Sequence, residues 1–493
     1  MTDGESGAAW ADATAPAVSD PLRPEPADVV RLGRRLVHLV VAAARTEDQK
    51  LQRLLFEHLG PEWPGLPVVT GTWAQYDHVN VQIGLDAWLA APGRRHELVG
   101  VTGFRHTPFG LGDLAQPGGL NPHLRPLGVG SVAVVTMPAG PAGETRSCVQ
   151  CGLYLADDRG VRLALLLREQ GQISLEVVGG SQDYAEHVLE DVRRLAIEHN
   201  VYRGHVVAFG TEMFGPGGSP LSFLSRPQVD RGNVILPEDL LDGIEQQVLG
   251  VARHAARLRG AGQHLKRGVL LHGAPGTGKT HTLRYLLGRM PGVTTVIISG
   301  GALQLIKEAC SVARSLQPAV VVVEDVDLIA EQRLPHRGQH PLLFQLLNEM
   351  DGLGEDADVA FLLTTNRADM LEAALAARPG RVDHAAELPL PDADARSRLI
   401  RLYQGSLMLD LADPELVISR TEGVTASFLK ELLRRAALYA AQDEEPGDAS
   451  AGRPLRITDA HMSAALDRLL DTRSQLTRVL LGARPAQDVP AVP

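Results

Sequence analysis

The fold of this chain is decided by the stretch Val269-Leu-Leu-His-Gly273-Ala-Pro-Gly-Thr-Gly-Lys279-Thr280. Its first four residues form an apolar strand pattern, and the pattern Gly-x-x-x-x-Gly-Lys-Thr follows directly. The next segment, His281-Thr-Leu-Arg-Tyr-Leu-Leu287, is typical of a helix. Glycine lets the backbone fold its N–H groups around an anion, and a helix N-terminus adds partial positive charge. This strand, loop and helix therefore predict a phosphate-binding loop.

The loop supplies most of the candidate ligand-binding residues. The Lys279 ammonium would reach the β and γ phosphates of ATP, and the Thr280 hydroxyl would ligate Mg²⁺. The His281 side chain, next along the chain, is interpreted as packing locally or facing solvent rather than as catalytic. The predicted nucleotide-binding residues are Gly273, Ala274, Pro275, Gly276, Thr277, Gly278, Lys279, Thr280 and His281.

A second apolar strand ends at two carboxylates. Ala319-Val-Val-Val-Val323 has the β-branched run expected of a strand that is buried on both faces, and Glu324 and Asp325 follow it. Carboxylates at the carboxyl end of such a strand would face the nucleotide. One would hold Mg²⁺, and the other would polarise the attacking water.

Two further segments contribute candidate catalytic groups. Phe361-Leu-Leu-Thr-Thr365 is another buried strand pattern, and Asn366 at its end could orient the water or contact the γ-phosphate. Downstream, the Pro-Gly turn between Arg378 and Arg381 presents two guanidinium groups from one loop. Such arginines can stabilise transition-state charge on the ATP of a neighbouring subunit.

Taken in order, these motifs resemble the AAA family of ATPases, within the AAA+ class, over residues 234–482. The resemblance also rests on Leu346-Leu-Asn-Glu-Met-Asp-Gly-Leu353 and on Arg378-Pro-Gly-Arg-Val-Asp383. It implies that Asn366 is the sensor-1 residue and that Arg378 and Arg381 act in trans as arginine fingers. It further implies a homo-oligomeric ring, usually of six subunits. A helical lid is expected after Pro389, where Gly423-Val-Thr-Ala-Ser-Phe-Leu429 resembles the sensor-2 turn without its arginine.

The acidic pair departs from the family pattern, which has aspartate first and glutamate second. By position, Glu324 would hold Mg²⁺ together with Thr280, and Asp325 would be the catalytic base. The side chain of aspartate is one methylene shorter, so the water must lie closer or the backbone must shift. The same order resembles that of the mitochondrial AAA factor that assembles the cytochrome bc1 complex. We therefore expect slower hydrolysis, and the alternative is a nucleotide-binding ring that does not hydrolyse ATP.

The segment after the strand at Val293-Thr-Thr-Val-Ile-Ile298 departs from the pattern of protein-threading family members. Those proteins carry an aromatic-hydrophobic-glycine pore loop there, whereas the nearest match in this chain is Leu305-Ile-Lys307. The interval up to Pro318 predicts one short helix and no additional loop. The sequence therefore does not favour processive threading of unfolded polypeptide.

The length, net charge and cysteine count of the chain disfavour some classes of function. The chain has 493 residues and a formal net charge of −11, which predicts two or three domains and disfavours a general nucleic-acid-binding surface. A nucleic-acid-remodelling motor with a basic pore is the other alternative. No signal peptide pattern and no apolar run near the ~20 residues of a membrane span is present. The three cysteines indicate a reducing compartment, so we expect a cytoplasmic protein without a membrane partner.

The predicted fold class is α/β. Short apolar runs between Ser131 and Val178, separated by turn signals, indicate an antiparallel meander in an α+β N-terminal domain. Cys148 and Cys151 lie in one of these strands, and we interpret them as buried apolar residues rather than a metal site. The predicted divisions are a disordered tail (1–27), the N-terminal domain (28–212), a flexible linker (213–232), the AAA+ core with a parallel sheet (233–388), the helical lid (389–483) and a second tail (484–493).

The sequence thus predicts Mg²⁺-dependent ATP hydrolysis at subunit interfaces, which would drive the remodelling of a protein client. Nothing in residues 28–230 identifies that client.

Overall fold

A computed structural model describes residues 50–106, 109–115, 127–210, 221–331, 341–352, 354, 357–369, 382–443 and 454–470. Both predicted tails and residues 28–49 lie outside these ranges. The described residues form two seven-stranded sheets with flanking helices, followed by a mainly helical unit. Within these ranges, no helix combines the length and the apolar character needed to cross a bilayer.

The first sheet belongs to the N-terminal domain, and its pairings are all antiparallel. The strands are β1 (Val68–Trp73), β2 (Arg94–Thr102), β3 (Gly128–Gly130), β4 (Ala133–Pro138), β5 (Thr145–Asp158), β6 (Val161–Glu169) and β7 (Ile173–Val178). The order of the sheet is β1-β7-β6-β5-β2-β3, and β4 pairs with β5. Consecutive strands β5, β6 and β7 are neighbours, so the antiparallel meander is confirmed.

Helices cover both faces of this sheet. They are α1 (50–59), α2 (His78–Leu89), α3 (Leu111–Ala115) and α4 (Gln182–Glu198). In β6, Leu163 and Leu165 pack with α2 and α4, whereas Ala164 and Leu166 pack with α1 and α3. Side chains alternate between the two faces of a strand, so a sheet covered on both faces requires a continuous apolar run.

The second sheet is the predicted parallel sheet of the P-loop domain. The strands are β8 (Val206–Phe209), β9 (Leu221–Leu224), β10 (Arg267–His272), β11 (Thr294–Ile298), β12 (Ala319–Val323), β13 (Val359–Thr365) and β14 (His384–Glu387). The order of the sheet is β14-β10-β13-β12-β11-β8-β9, and every pairing is parallel except that of β9 with β8.

Strands β8 and β9 correct the predicted domain boundary. The sequence places Val206–Phe209 in the N-terminal domain, but this strand pairs in parallel with β11. The predicted flexible linker is also wrong for residues 221–232, since these residues include β9. Arg226, in the same segment, donates hydrogen bonds to the carbonyl oxygens of Gly204, Leu287 and Val293. The pairing partner of a parallel strand lies far along the chain, so local periodicity could not reveal it.

The helices of the P-loop domain lie on both sides of its sheet. Val320 and Val322 of β12 face one hydrophobic cluster, and Val321 and Val323 face the other. The predicted burial of this strand on both faces is therefore confirmed. The helices are α5 (Glu238–Glu245), α6 (Val251–Arg253), α7 (Ala255–Gly260), α8 (Lys279–Gly288), α9 (Ile306–Ser315), α10 (Val326–Glu331) and α11 (Pro341–Asp351). A π-helical turn, Gln246–Gly250, joins α5 to α6.

The C-terminal unit is the predicted lid. Its helices α12 (Ala393–Gln404), α13 (Pro414–Arg420), α14 (Ala426–Asp443) and α15 (Asp459–Leu470) enclose a small core of their own. The lid is not entirely helical, because β15 (Met408–Asp410) and β16 (Arg456–Thr458) form a parallel pair. Strands of three residues are too short to produce a readable alternation.

The N-terminal and P-loop domains share one hydrophobic core. Tyr76, Val79 and Met137 pack in the same cluster as the buried residues of α9 and β12. Hydrogen bonds reinforce the contact around residue 202, where the Tyr202 hydroxyl donates to the Tyr76 carbonyl oxygen at 2.6 Å. The two domains are therefore packed against each other rather than tethered by a linker.

Cys148 and Cys151 are both fully buried and point to opposite faces of β5. Cys148 lies in the interdomain core, whereas Cys151 packs against the α1 and α3 layer. Burial raises the pKa of each thiol to about 12, so both stay protonated at neutral pH. Among the described residues, no group of three or more His, Cys, Asp and Glu side chains could hold a metal ion. The geometry agrees with the interpretation of these cysteines as packing residues.

The carboxyl of Asp77, at the domain junction, should make the free energy of unfolding depend on pH. Burial raises the pKa of this carboxyl from the usual 3.8 to about 6, while a hydrogen bond from Asn80 opposes the shift. The folded state then holds the proton more tightly than the unfolded state, so stability is lost as the pH rises through about 6. We expect Asp77→Asn to raise the free energy of unfolding at pH 8 by at most ~3 kcal/mol, less where water screens the charge.

The measurement is urea unfolding of wild type and Asp77→Asn at pH 5 and pH 8. The gain should be smaller at pH 5, because the wild-type carboxyl is then largely protonated. An equal gain at both pH values would contradict the role assigned to Asp77.

Candidate nucleotide-binding site

The topology of the second sheet brings the predicted site residues to one edge. Strand β13 lies between β10 and β12, and all three run parallel. Their carboxyl ends therefore open onto the same crevice, which is the usual position of ligands in open α/β sheets. The loop after β10, the acidic pair after β12 and Asn366 after β13 all lie there.

The glycines of the loop after β10 are required by its backbone. Gly273 has a φ of +138°, and a Cβ atom there would lie 2.5 Å from the carbonyl oxygen of Leu388. Gly278, with a φ of +108°, precedes the first residue of α8. Left-handed backbone of this kind strains any residue with a side chain. The loop thus reaches α8 in a conformation that only glycine adopts readily.

Lys279 is buried at the start of α8, with its ammonium group held inside the loop. Its Nζ donates hydrogen bonds to the carbonyl oxygens of Gly273, at 2.8 Å, and Ala274, at 3.0 Å. Burial lowers the pKa of the ammonium, while the negative charges of Asp325 and Asp327 raise it. A lysine in this position can donate to phosphate oxygens that enter the loop.

Thr280 and Glu324 form a pair of oxygen donors across the crevice. The Thr280 hydroxyl donates to Glu324 Oε2 at 3.2 Å. Magnesium prefers oxygen ligands and is commonly held by one or two carboxylates together with substrate phosphates. The donor set therefore fits Mg²⁺, and Thr280 and Glu324 are the residues that would hold it.

Asp325 lies beside Asn366, as their predicted roles require. Asn366 Nδ2 donates to Asp325 Oδ1 at 3.4 Å. Asp325 has a φ of +54°, and its backbone N–H donates to the Thr364 hydroxyl at 3.0 Å. Non-glycine residues in this region of φ are uncommon and cluster at functional sites. The sharp turn fixes the direction of the short carboxylate.

Asp327 is a further residue of this site that the sequence analysis missed. It is buried, and its Oδ1 accepts hydrogen bonds from the Thr365 hydroxyl, at 2.8 Å, and from the Asn366 backbone N–H, at 3.2 Å. It therefore ties the end of β13 to the segment that follows β12. The signal available in the sequence is a third carboxylate two residues after Asp325.

The positioning role of Asp327 predicts a loss of turnover. In Asp327→Ala, two hydrogen bonds to a charged group are lost and Asn366 is no longer fixed. We expect kcat for ATP hydrolysis to fall about tenfold, which corresponds to ~1.4 kcal/mol. Asp327→Asn keeps an acceptor oxygen and should recover most of the rate. Phosphate release and fluorescent-nucleotide binding measured on the same samples would separate kcat from affinity, and an unchanged kcat in Asp327→Ala would exclude the role.

The lid contacts the loop, and the segment before α5 contacts the start of α8. The Ser427 backbone N–H donates to the Gly276 carbonyl oxygen at 3.2 Å. His281 Nε2 donates to the Asn233 carbonyl oxygen at 3.0 Å, so the imidazole links α8 to the segment before α5. In that segment, Ile235 packs against the lid, while its neighbours pack in the P-loop domain. Movement of the lid would therefore change the position of the phosphate-binding loop.

The structure brings together Lys279, Thr280, Glu324, Asp325 and Asn366, and their catalytic roles stay predictions. Arg378 and Arg381, the predicted arginine fingers, lie outside the described residues. The segment after β11 is a short 3-10 helix, Gly300–Leu305, that leads straight into α9. The absence of an additional loop there agrees with the sequence analysis.

All the predicted residues of this site fall within one match to a known protein family. Residues 269–390 match the family model described as "ATPase family associated with various cellular activities (AAA)". This chain contains an AAA ATPase domain. The matched residues begin in β10 and end just before α12, the first helix of the lid, so the AAA domain includes the P-loop, the acidic pair and Asn366.

Several relatives share this AAA domain. The chain is 31% identical over 271 residues to the "ATP-dependent zinc metalloprotease FtsH 2" of Symbiobacterium thermophilum, covering 52% of this chain and 43% of the relative. It is 27% identical over 269 residues to the "Proteasome-activating nucleotidase" of Thermococcus onnurineus, covering 52% of this chain and 65% of the relative. It is also 32% identical to an FtsH 3 protein of Sphaerobacter thermophilus, over 48% of each chain. The matches thus span between 43% and 65% of the length of these curated relatives.

Proposed function

We propose that this protein binds ATP with Mg²⁺, hydrolyses it at the interface between neighbouring subunits of a ring, and remodels a protein partner. The observation that carries the proposal is the convergence of Lys279, the Thr280–Glu324 pair and the Asp325–Asn366 pair at one sheet edge. Those three features correspond to phosphate binding, metal ligation and activation of the attacking water.

Each group has a defined task in this proposal. The Lys279 ammonium and the N–H groups of the loop bind the phosphates, and Thr280 and Glu324 would hold Mg²⁺, which would supply positive charge to the phosphate oxygens. Asp325 accepts the proton of the attacking water, which the Asn366 amide helps to orient. The Glu-Asp order resembles that of the mitochondrial bc1-assembly factor, and the short reach of Asp325 leads us to propose a slow ATPase.

The ring is proposed from the resemblance and from the two predicted arginine fingers. Arg378 and Arg381 would stabilise the transition state on the ATP of the adjacent subunit. The protein partner is proposed from the names of the relatives, which describe a protease and an activator of the proteasome. Proteolysis itself is not proposed, because the sequence contains no His-Glu-x-x-His pattern.

Mixing two inactive variants tests the shared site. Arg378→Ala and Asp325→Asn should each bind ATP and hydrolyse it poorly. In mixed rings, some interfaces combine an intact arginine with an intact base, so mixing should restore phosphate release. Lack of restoration, together with a monomeric mass in every nucleotide state, would contradict the ring.

The competing candidate is a nucleotide-binding scaffold that does not hydrolyse ATP. The observation that favours it is the short Asp325 carboxylate on strained backbone. Wild-type phosphate release that does not exceed that of Lys279→Ala, with ATP binding retained, would select the scaffold.

A further inference from the structure

A cavity of about 380 Å³ lies where the N-terminal domain meets the AAA domain. The end of β1, the start of α2 and the end of α4 form its N-terminal walls, and α9 closes it from the AAA side. This volume lies within the range of small-molecule sites in proteins. The residues that carry the argument are Trp73, Asp77, Asn80, Arg193, Ser311 and Ser315.

Asp77 gives this cavity a negative charge that lacks a counter-ion. Among the described residues, the only hydrogen bond to its carboxylate is donated by Asn80 Nδ2, at 3.2 Å. Throughout the described ranges, no Lys, Arg or His side chain forms an ion pair with it. A half-buried carboxylate in this situation is stabilised by any cation that reaches it.

Arg193 gives the same cavity a positive charge that also lacks a counter-ion. Its guanidinium lies over the Trp73 ring, 4.9 Å from the ring centroid. In the part of the chain that the structure describes, this stacking is the only interaction of the Arg193 side chain, although its helix neighbour Arg194 pairs with Asp191 and Glu198. Stacking occupies one face of a guanidinium and leaves the N–H groups in its plane able to bind a carboxylate.

Asp77 and Arg193 line one cavity without pairing with each other. A molecule with a positive group at one end and a negative group at the other would neutralise both charges at once. Ser311, Ser315 and Asn80 also line the cavity, and these neutral donors and acceptors suit a polar ligand rather than an apolar one. A ligand with only one charge would leave the other protein charge uncompensated.

We propose that this cavity binds a small zwitterion of the amino-acid class, with its ammonium group on Asp77 and its carboxylate on Arg193. The ligand would contact both domains, and α9 is followed in the chain by β12, after which Glu324 and Asp325 come next. An effect on turnover would rest on the proposed ATPase function, whereas binding does not. The test is therefore made on binding.

Calorimetry of the full chain at pH 7.5 with each of the twenty free amino acids tests the proposal. We expect saturable binding of at least one of them, with the N-acetyl and the carboxamide derivatives of that amino acid binding at least tenfold more weakly. Absence of binding by all twenty would overturn the proposal. Full affinity of either derivative would also overturn it, because the corresponding charged end would then make no contact.

Substitution of Asp77 and of Arg193 tests whether the ligand binds in this cavity. Asp77→Asn keeps the acceptor for Asn80, and Arg193 is exposed, so Asp77→Asn and Arg193→Gln should both fold. Each should weaken binding at least tenfold. Matched controls on exposed positions of α4, Asp183→Asn and Arg194→Gln, should bind as wild type does. Unchanged affinity in Asp77→Asn or Arg193→Gln would overturn the assignment of the cavity, and melting curves of all four variants would verify folding.

Discussion

Asp325→Asn is expected to bind ATP as tightly as wild type and to hydrolyse it at least ~100-fold more slowly, as for loss of a general base. The amide retains the size of the carboxylate and its contact with Asn366, which lies 3.4 Å away in the structure. It cannot accept a proton from water at neutral pH. Phosphate release and fluorescent-nucleotide binding, measured on the same samples, would check both parts of this result.

Substitution of the neighbouring carboxylate, Glu324, should impair the binding of ATP, unlike substitution of Asp325. Glu324→Gln removes the charge that faces Thr280, so it should weaken ATP binding in the presence of Mg²⁺ and leave binding in EDTA unchanged. The double variant Glu324→Asp, Asp325→Glu restores the usual order of the family and should hydrolyse ATP at least as fast as wild type. Wild-type turnover in Asp325→Asn would show that another group acts as the base.

Lys279→Ala is expected to lower the affinity for ATP by about 100-fold or more. The ammonium would make charge-assisted hydrogen bonds to phosphate oxygens, and two such bonds together contribute roughly 3 kcal/mol or more. In the structure the same group is held by two loop carbonyl oxygens, so little reorganisation is needed for binding. Titration of a fluorescent ATP analogue would measure the loss.

The matched control is Lys307→Ala, which removes an exposed lysine of α9 and should bind ATP as wild type does. Comparable loss in both variants would indicate a general effect of net charge, whereas wild-type affinity in Lys279→Ala would place the nucleotide elsewhere.

Much of the AAA domain could be predicted from the sequence, because its signals are local. The strand before Gly273, the valine run before Glu324 and the strand before Asn366 all occur in the structure. Their convergence was also predictable, since parallel strands present their carboxyl ends at the same edge. A phosphate-binding loop needs a short run of particular residues, so its pattern survives in the sequence alone.

Features that depend on distant pairing could not be predicted. Strand β8 joins the AAA sheet by pairing with β11 about ninety residues away, and nothing in its four apolar residues identifies that partner. The contacts of Asp327 with Thr365 and Asn366 have the same character, because they form only when β12 and β13 are neighbours.

The sequence by itself determined the predicted nucleotide-binding elements: the loop ending at Lys279 and Thr280, the acidic pair and the polar end of β13. Only the tertiary structure decided that the N-terminal domain shares a core with the AAA domain and that Asp77 and Arg193 face one cavity. The physical reason is the range of the interactions. A binding loop is specified by the backbone conformations of consecutive residues, whereas a shared core and a cavity are specified by the packing of surfaces far apart in the chain.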